Sequence, residues 1–230
     1  MIRWRLINQL RKRGKQHMTK LETQIASDLL RIQAVTLRPD APFTWASGMK
    51  SPIYTDNRLT IGYPDVRSKI AAGLAQQIVA HYPDVTAIGG VATAGIPHAA
   101  LVANLLNLPL VYIRSKPKDH GQGRQIEGHL PADAKLVVID DLLSTGGSVL
   151  GAVAAAQKDG ATVLGVAAIF SYQLAAVKTN FADAGLPFFT LTNYTALIQT
   201  AEAQGAITST QLASLHQWRE DPVKWGAQFQ

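Results

Sequence analysis

The chain has no cysteine, which excludes a disulfide framework, a thiolate metal site and a cysteine nucleophile. That absence also fits a reducing compartment. No stretch reaches the roughly 18 apolar residues of a membrane span. The first residues carry no apolar run long enough for a signal peptide. A cytoplasmic protein with no membrane partner is therefore expected. Charged residues are few, at 17%, against 47% hydrophobic, which is a globular composition and not a disordered one. A chain of 230 residues can bury a large core without covalent staples.

Acidic residues are missing from one place. Residues 1–17 contain Arg3, Arg5, Arg11, Lys12, Arg13 and Lys15 and no acid, which accounts for the whole formal charge of +6. The other 16 Lys and Arg balance the 16 Asp and Glu, so the body is neutral and no nucleic-acid partner is expected. Residues 1–17 read as a basic, disordered and dispensable extension.

What is present falls into two textures. Leu21, Ile25, Leu29, Ile32 and Val35 recur at helical spacing, which predicts a helix over 19–35. Residues 39–64 are punctuated by Pro39, Pro42, Gly48, Pro52, Gly62 and Pro64 between short extended pieces rich in aromatics and Thr. A helix is predicted over 65–81. From residue 84 the rhythm becomes strand, loop, helix, with strands at Val85–Gly89, Leu110–Arg114, Leu136–Ile139, Thr162–Phe170 and Phe188–Leu191. Helices are predicted over 95–107, 147–159, 195–204 and 208–219. Apolar strands alternating with helices imply an α/β fold with a parallel sheet covered on both faces. The expected domains are an extension (1–17), an N-terminal helix and hood (18–64), a core (65–220) and a C-terminal tail (221–230).

Ser115–Pro131 lies between two apolar strands yet is polar, with three glycines and two prolines, and it gathers Lys116, Lys118, His120 and Arg124. Long loops in compact domains are usually functional or disordered. This one leaves the carboxyl end of a strand, the edge where open α/β sheets bind ligands. A catalytic lid is the reading preferred over a solvated surface loop.

The most informative stretch runs from Leu136 to Ser148. An apolar strand ends in Asp140 and Asp141, and Ser144, Thr145, Gly146, Gly147 and Ser148 then turn into a helix. Free amides at the helix start and its dipole favour an anion, and glycine lets the backbone approach closely. No Lys follows the glycines, so it is not a Walker A loop, and the spacing is wrong for a dinucleotide fingerprint. Two carboxylates would repel a lone phosphate. They suit a phosphorylated sugar that offers hydroxyl donors, with a cation nearby. Helix capping explains one acid but not the pair.

This stretch resembles the phosphoribosyl-diphosphate (PRPP) motif of type I phosphoribosyltransferases. Tyr112-Ile-Arg114-Ser-Lys-Pro-Lys118-Asp-His120-Gly121 resembles the lid of the orotate phosphoribosyltransferases. Phe43 to Arg58 resembles their base-covering hood, and Gly89 to Pro97 their diphosphate loop. The resemblance covers about residues 19–220. It implies the type I fold with a small N-terminal hood, and transfer of 5-phosphoribosyl from PRPP to N1 of orotate, giving orotidine 5′-phosphate and diphosphate for UMP synthesis. It implies that Asp140 and Asp141 hold the ribose hydroxyls and that Leu142, Leu143 and Ser144–Ser148 lie along the 5′-phosphate, with Ser144 also touching orotate. Arg114, Ser115, Lys116, Lys118 and His120 would serve the diphosphate, Lys118 and His120 with catalytic roles, in a homodimer whose lids cross between subunits. No residue cluster has the spacing of a protein-ligated metal, so Mg2+ is expected to arrive mainly with PRPP. The chain departs from the pattern at Ala46, Ala94, Ser115 and Tyr172, where many members carry a cation. Lys50 or Arg58 is therefore the expected partner of the orotate carboxylate. Two alternatives stand: a purine phosphoribosyltransferase of the same fold, and a non-catalytic PRPP-sensing regulator binding DNA through the basic extension.

Overall fold

The computed structural model describes residues 18–116 and 125–229. Helix α1 (Met18–Arg31) buries Ile25, Ala26 and Leu29 completely, as the periodicity requires. It stops four residues before the predicted end. Gln33 takes a positive φ of 58° that breaks the helix, and Val35 opens a strand instead. A β-branched residue at a helical interval fits either structure, so periodicity alone misplaced this end.

The hood is built from two small antiparallel pairs. Strand β1 (Val35–Leu37) pairs with β4 (Ile53–Thr55), and β2 (Phe43–Thr44) pairs with β3 (Lys50–Ser51). A 3-10 turn over Asn57–Gly62 follows, capped by the Asp56 carboxylate, which accepts the Arg58 N–H. It leads into α2 (Pro64–His81), whose first-turn Asp65 binds Arg31 of α1.

The central sheet uses β5 (Ala87–Val91), β6 (Leu110–Ile113), β7 (Ile126–Glu127), β8 (Lys135–Leu143), β9 (Thr162–Ser171) and β10 (Phe188–Asn193), in the order β10-β9-β8-β5-β6-β7. All pairings are parallel except β6 with β7. The interleaved helices are α3 (Gly95–Leu106), α4 (Gly147–Lys158), α5 (Ala175–Asp183) and α6 (Tyr194–Ala203), followed by α7 (Ser209–Glu220) and α8 (Pro222–Gly226).

Alternation along β8 divides the core. Val137 and Ile139 pack with α1, α2, α3 and α6 on one face, and Leu136 and Val138 pack with α4 and α5 on the other. All four are fully buried, each contributing roughly 1.5–3 kcal/mol. The expected covering of both faces is found.

Two expectations about strands need correction. The central strand runs to Leu143, not Ile139, because β9 keeps pairing with it through Leu143↔Ser171. Asp140 and Asp141 therefore sit on a strand, not after one. Within the expected lid, Ile126–Glu127 forms an edge strand on β6. Helix α5 and strand β7 had no strong periodic signal. Residues 221–229, assigned to a tail, form α8 and a 3-10 turn, with Trp225 buried.

Candidate active site

The strand order reverses between β5 and β8: the chain goes from β5 outward to β6, then returns to β8 and continues to β9 and β10. Open α/β sheets bind ligands at the carboxyl end of such a switch point. Here β5 pairs with β8 only as far as Ile139, while β8 continues four residues further on β9. That overhang presents Asp140 and Asp141 at the crevice. Gly95, the first residue of α3, is wedged against it: a Cβ there would lie 3.1 Å from Asp140 Cα and collide with the Ile139 carbonyl oxygen.

The Asp140 carboxylate accepts the Asp141 N–H at 2.9 Å. Burial, and then the charge of Asp141, push Asp140 up to about 7. Burial also raises Asp141. Two adjacent acids both raised by burial call for hydroxyl donors or a cation. Among the described residues no cluster of three or more His, Asp or Glu could hold a metal by itself.

After β8, Gly146 turns the chain at φ +84° onto α4, and an added Cβ would sit 2.8 Å from Phe181. The turn is pinned by Asn180, whose Nδ2 donates to the Thr145 carbonyl at 2.8 Å. No side chain caps α4, which leaves its first-turn amides available to an anion. Arg114 and Ser115 reach this helix start. With Val91, Gln125, Gly147 and Ser148 they line a recess of about 290 Å³. Arg114 and Gln125 are joined at the two ends of the expected lid: the Arg114 N–H donates to the Gln125 carbonyl at 2.9 Å, and Gln125 Nε2 donates to the Arg114 carbonyl at 3.1 Å.

A second recess, of about 410 Å³, adjoins the cradle through Leu142 and Ser144. Its other walls belong to the hood and to β9's end: Phe43, Trp45, Tyr54 and Tyr172 with Thr44, Ala46 and Thr55. Trp45 packs on Tyr172 at 5.0 Å between ring centroids, and its indole N–H donates to the Ile53 carbonyl. An aromatic-lined slot of this size can take a heterocyclic ring.

The phosphoribosyl transferase domain family matches residues 66–185. The orotate phosphoribosyltransferase of Lactiplantibacillus plantarum is 61% identical over 209 residues, covering 91% of this chain and 99% of the relative. That of Enterococcus faecalis is 57% identical, covering 91% and 100%. Among solved structures, the Aeropyrum pernix orotate phosphoribosyltransferase superposes with a TM-score of 0.67 at 28% identity, covering 80% of this chain and 99% of that one. This chain belongs to the orotate phosphoribosyltransferases.

Of the expected site residues, Arg114, Ser115, Gly147 and Ser148 line one recess and Leu142 and Ser144 the other, with Asp140 and Asp141 on the strand that leads into the turn. Lys116 is exposed on the bend after β6. Leu142 faces the aromatic slot, whereas the Leu143 side chain is fully buried in the core, leaving only its backbone for any ligand. Lys118, His120 and Arg124 lie outside the described residues. The two hood cations expected at the orotate carboxylate differ. Arg58 is held by both carboxylate oxygens of Asp56, at 2.6 and 2.8 Å. Lys50 Nζ donates to the hydroxyl of Thr44, a wall of the slot, at 3.0 Å, and among the described residues no carboxylate is paired with it.

Sequence reasoning did not single out Trp45, Tyr54, Thr55, Asn57 or Gln125. The aromatic richness of residues 39–64 was the signal for the first two. Nothing in the sequence marks Asn57 and Gln125, which act through partners distant in the chain. His98 is fully buried, with Nε2 3.3 Å from the Thr60 hydroxyl.

Proposed function

We infer that this chain transfers the 5-phosphoribosyl group of PRPP to N1 of orotate, releasing diphosphate and forming orotidine 5′-phosphate. The observation that carries this reading is the continuity of the acid pair, the amide-lined turn and the aromatic slot: Ser144 belongs to both cradle and slot. The 5′-phosphate would sit on the amides of Gly146–Ser148, the ribose hydroxyls on Asp140 and Asp141, and the diphosphate towards Arg114 and Ser115. Breaking the C1–diphosphate bond leaves a ribosyl centre of oxocarbenium character, and N1 of the slot-bound base closes on it. Charge gathers on the departing diphosphate, where cations stabilise it most. Mg2+ carried by PRPP would supply such charge, with Asp140 and Asp141 beside its sugar oxygens and no protein cage.

Bond formation at N1 displaces the N1 proton, which the departing diphosphate takes, so the step needs no strong protein base. The orotate carboxylate requires a cation that is not already paired, which favours Lys50 over Arg58. The residues of the lid, Lys118 and His120, would complete the diphosphate site of the neighbouring subunit in a homodimer. Substrates this charged do not cross membranes, which supports a cytoplasmic setting. No described helix is long and apolar enough to cross one.

The test is a mixture of protein, PRPP, orotate and Mg2+. Orotate should disappear in step with diphosphate release. Turnover of adenine or hypoxanthine with orotate inert would replace this reading by the purine alternative.

A further inference from the structure

Asn57 is almost fully buried at the start of the hood's 3-10 turn, and its amide does not serve the turn. Nδ2 crosses to the central sheet and donates to the main-chain carbonyl of Asp141 at 2.7 Å. The turn itself is closed by Thr60, whose hydroxyl donates to the Asn57 carbonyl at 2.6 Å. That same hydroxyl meets His98 Nε2, one turn into α3, the helix that follows β5. Asn57, Thr60 and His98 thus form one buried polar string. It links the hood, the acid strand and the helix that abuts it.

The string is costly. Among the described residues, Asn57 Oδ1 and His98 Nδ1 are buried without a hydrogen-bond partner, and an unmet buried polar group destabilises a fold. An apolar filler would avoid that cost. What the amide achieves is positional. Beyond Ile139 the β5 side of β8 has no strand to hold it, and only β9 pairs with the Asp140–Leu143 overhang. The Asn57 amide anchors the overhang from the hood at the second acid. The peptide it grips joins Asp141 to Leu142, so it bears at once on the acid and on a wall of the aromatic slot.

We propose that Asn57 is a positioning residue: by holding the Asp141 carbonyl it sets the acid pair for the ribose of PRPP and ties that setting to the hood over the base. This rests on the reading that Asp141 meets the ribose hydroxyls.

The experiment is a double-mutant cycle on the full-length enzyme, with Asn57→Ala, Asp141→Asn and the pair. It reads PRPP affinity by calorimetry without orotate, together with kcat and both KM values. Asn57→Ala should weaken PRPP binding at least about fivefold and lower kcat about tenfold or more, with the orotate KM within about twofold. In the Asp141→Asn background the same substitution should have little further effect on PRPP, because its route is already cut. A merely structural role would give equal, additive losses in both backgrounds, and that result overturns the proposal. So does an Asn57→Ala enzyme that binds PRPP like the parent. If Asp141→Asn leaves PRPP binding intact, the ribose reading fails first, and the inference with it. Should Asn57→Ala not fold, Thr60→Val keeps the side-chain shape and removes the hydroxyl that closes the turn. It should weaken PRPP at least about threefold, and unchanged binding counts against the proposal.

Discussion

At the residue scale, two buried ionisable groups pull stability in opposite directions with pH. Asp140 is raised from 3.8 to about 7, mainly by burial. Between those values the folded protein holds a proton that the unfolded chain gives up, so this group's contribution is full in acid and lost as pH rises through 7. His98 is lowered from 6.5 to about 4, again by burial. Between those values the unfolded chain takes up a proton that the fold refuses, so this contribution is lost as pH falls below 6.5. Asp140→Asn removes the first slope and leaves the second. Thermal unfolding of the ligand-free proteins should therefore show the variant gaining on the parent as pH rises from 5 to 8. A Tm difference that stays constant across that range contradicts the assignment. Lys50→Met belongs to the same scale. Losing one charge-assisted bond to a carboxylate costs about 1.5–3 kcal/mol. The orotate KM should rise about tenfold or more with the PRPP KM unchanged, while Arg58→Ala should do much less. Steady-state kinetics with each substrate varied separates the two.

At the scale of elements, the site depends on how closely α3 and α4 approach the carboxyl end of the sheet. Gly146 is required twice over, by its positive φ and by the Phe181 ring beneath it. Gly95 is required for space alone. Gly95→Ala forces α3 off the Ile139–Asp140 backbone, which cannot yield as a flexible side chain would. Overpacking of this kind costs about 1–3 kcal/mol. For a chain of this size that is a fall in Tm of about 2–4 °C per kcal/mol. The activity loss should exceed what the unfolded fraction explains, because the displaced strand carries the acids. Calorimetry and turnover on the same preparation decide it.

At the scale of the whole molecule, the C-terminal helices brace the aromatic slot. Trp218 is fully buried, stands edge-on to Trp45 and Tyr172, and donates its indole N–H to the Lys50 carbonyl at 3.1 Å. Gly226 lies directly on Lys50, where an added Cβ would be 3.1 Å from the lysine Cβ. Ending the chain after Glu220 should lower the Tm and raise the orotate KM several-fold, with PRPP binding nearly unchanged. Equal loss of both substrates would reduce these helices to general scaffolding. The proposed crossing of lids between subunits makes a separate prediction. Inactive Asp141→Asn and Lys118→Ala homodimers, mixed and allowed to exchange, should regain about a quarter of the parental sites, because half the dimers become mixed and one site in each is intact. No recovery after demonstrated exchange would place each lid over its own subunit.

The amino-acid sequence by itself determined the alternation of apolar strands with helices, the cradle from Ser144 to Ser148 and the acids before it. These are local patterns: burial on both faces demands continuous apolar strands, and an anion-binding turn demands glycine and hydroxyls within a few residues. Trp225, placed in a tail by position, and Val35, placed in a helix by spacing, show where local pattern stops. Only the tertiary structure decided that the acids ride on a strand, because the pairing of Leu143 with Ser171 joins residues far apart in the chain. It also separated Lys50 from Arg58 and brought Asn57 to Asp141. Those outcomes depend on which side chains meet across the fold, and spacing along one chain carries no record of such meetings.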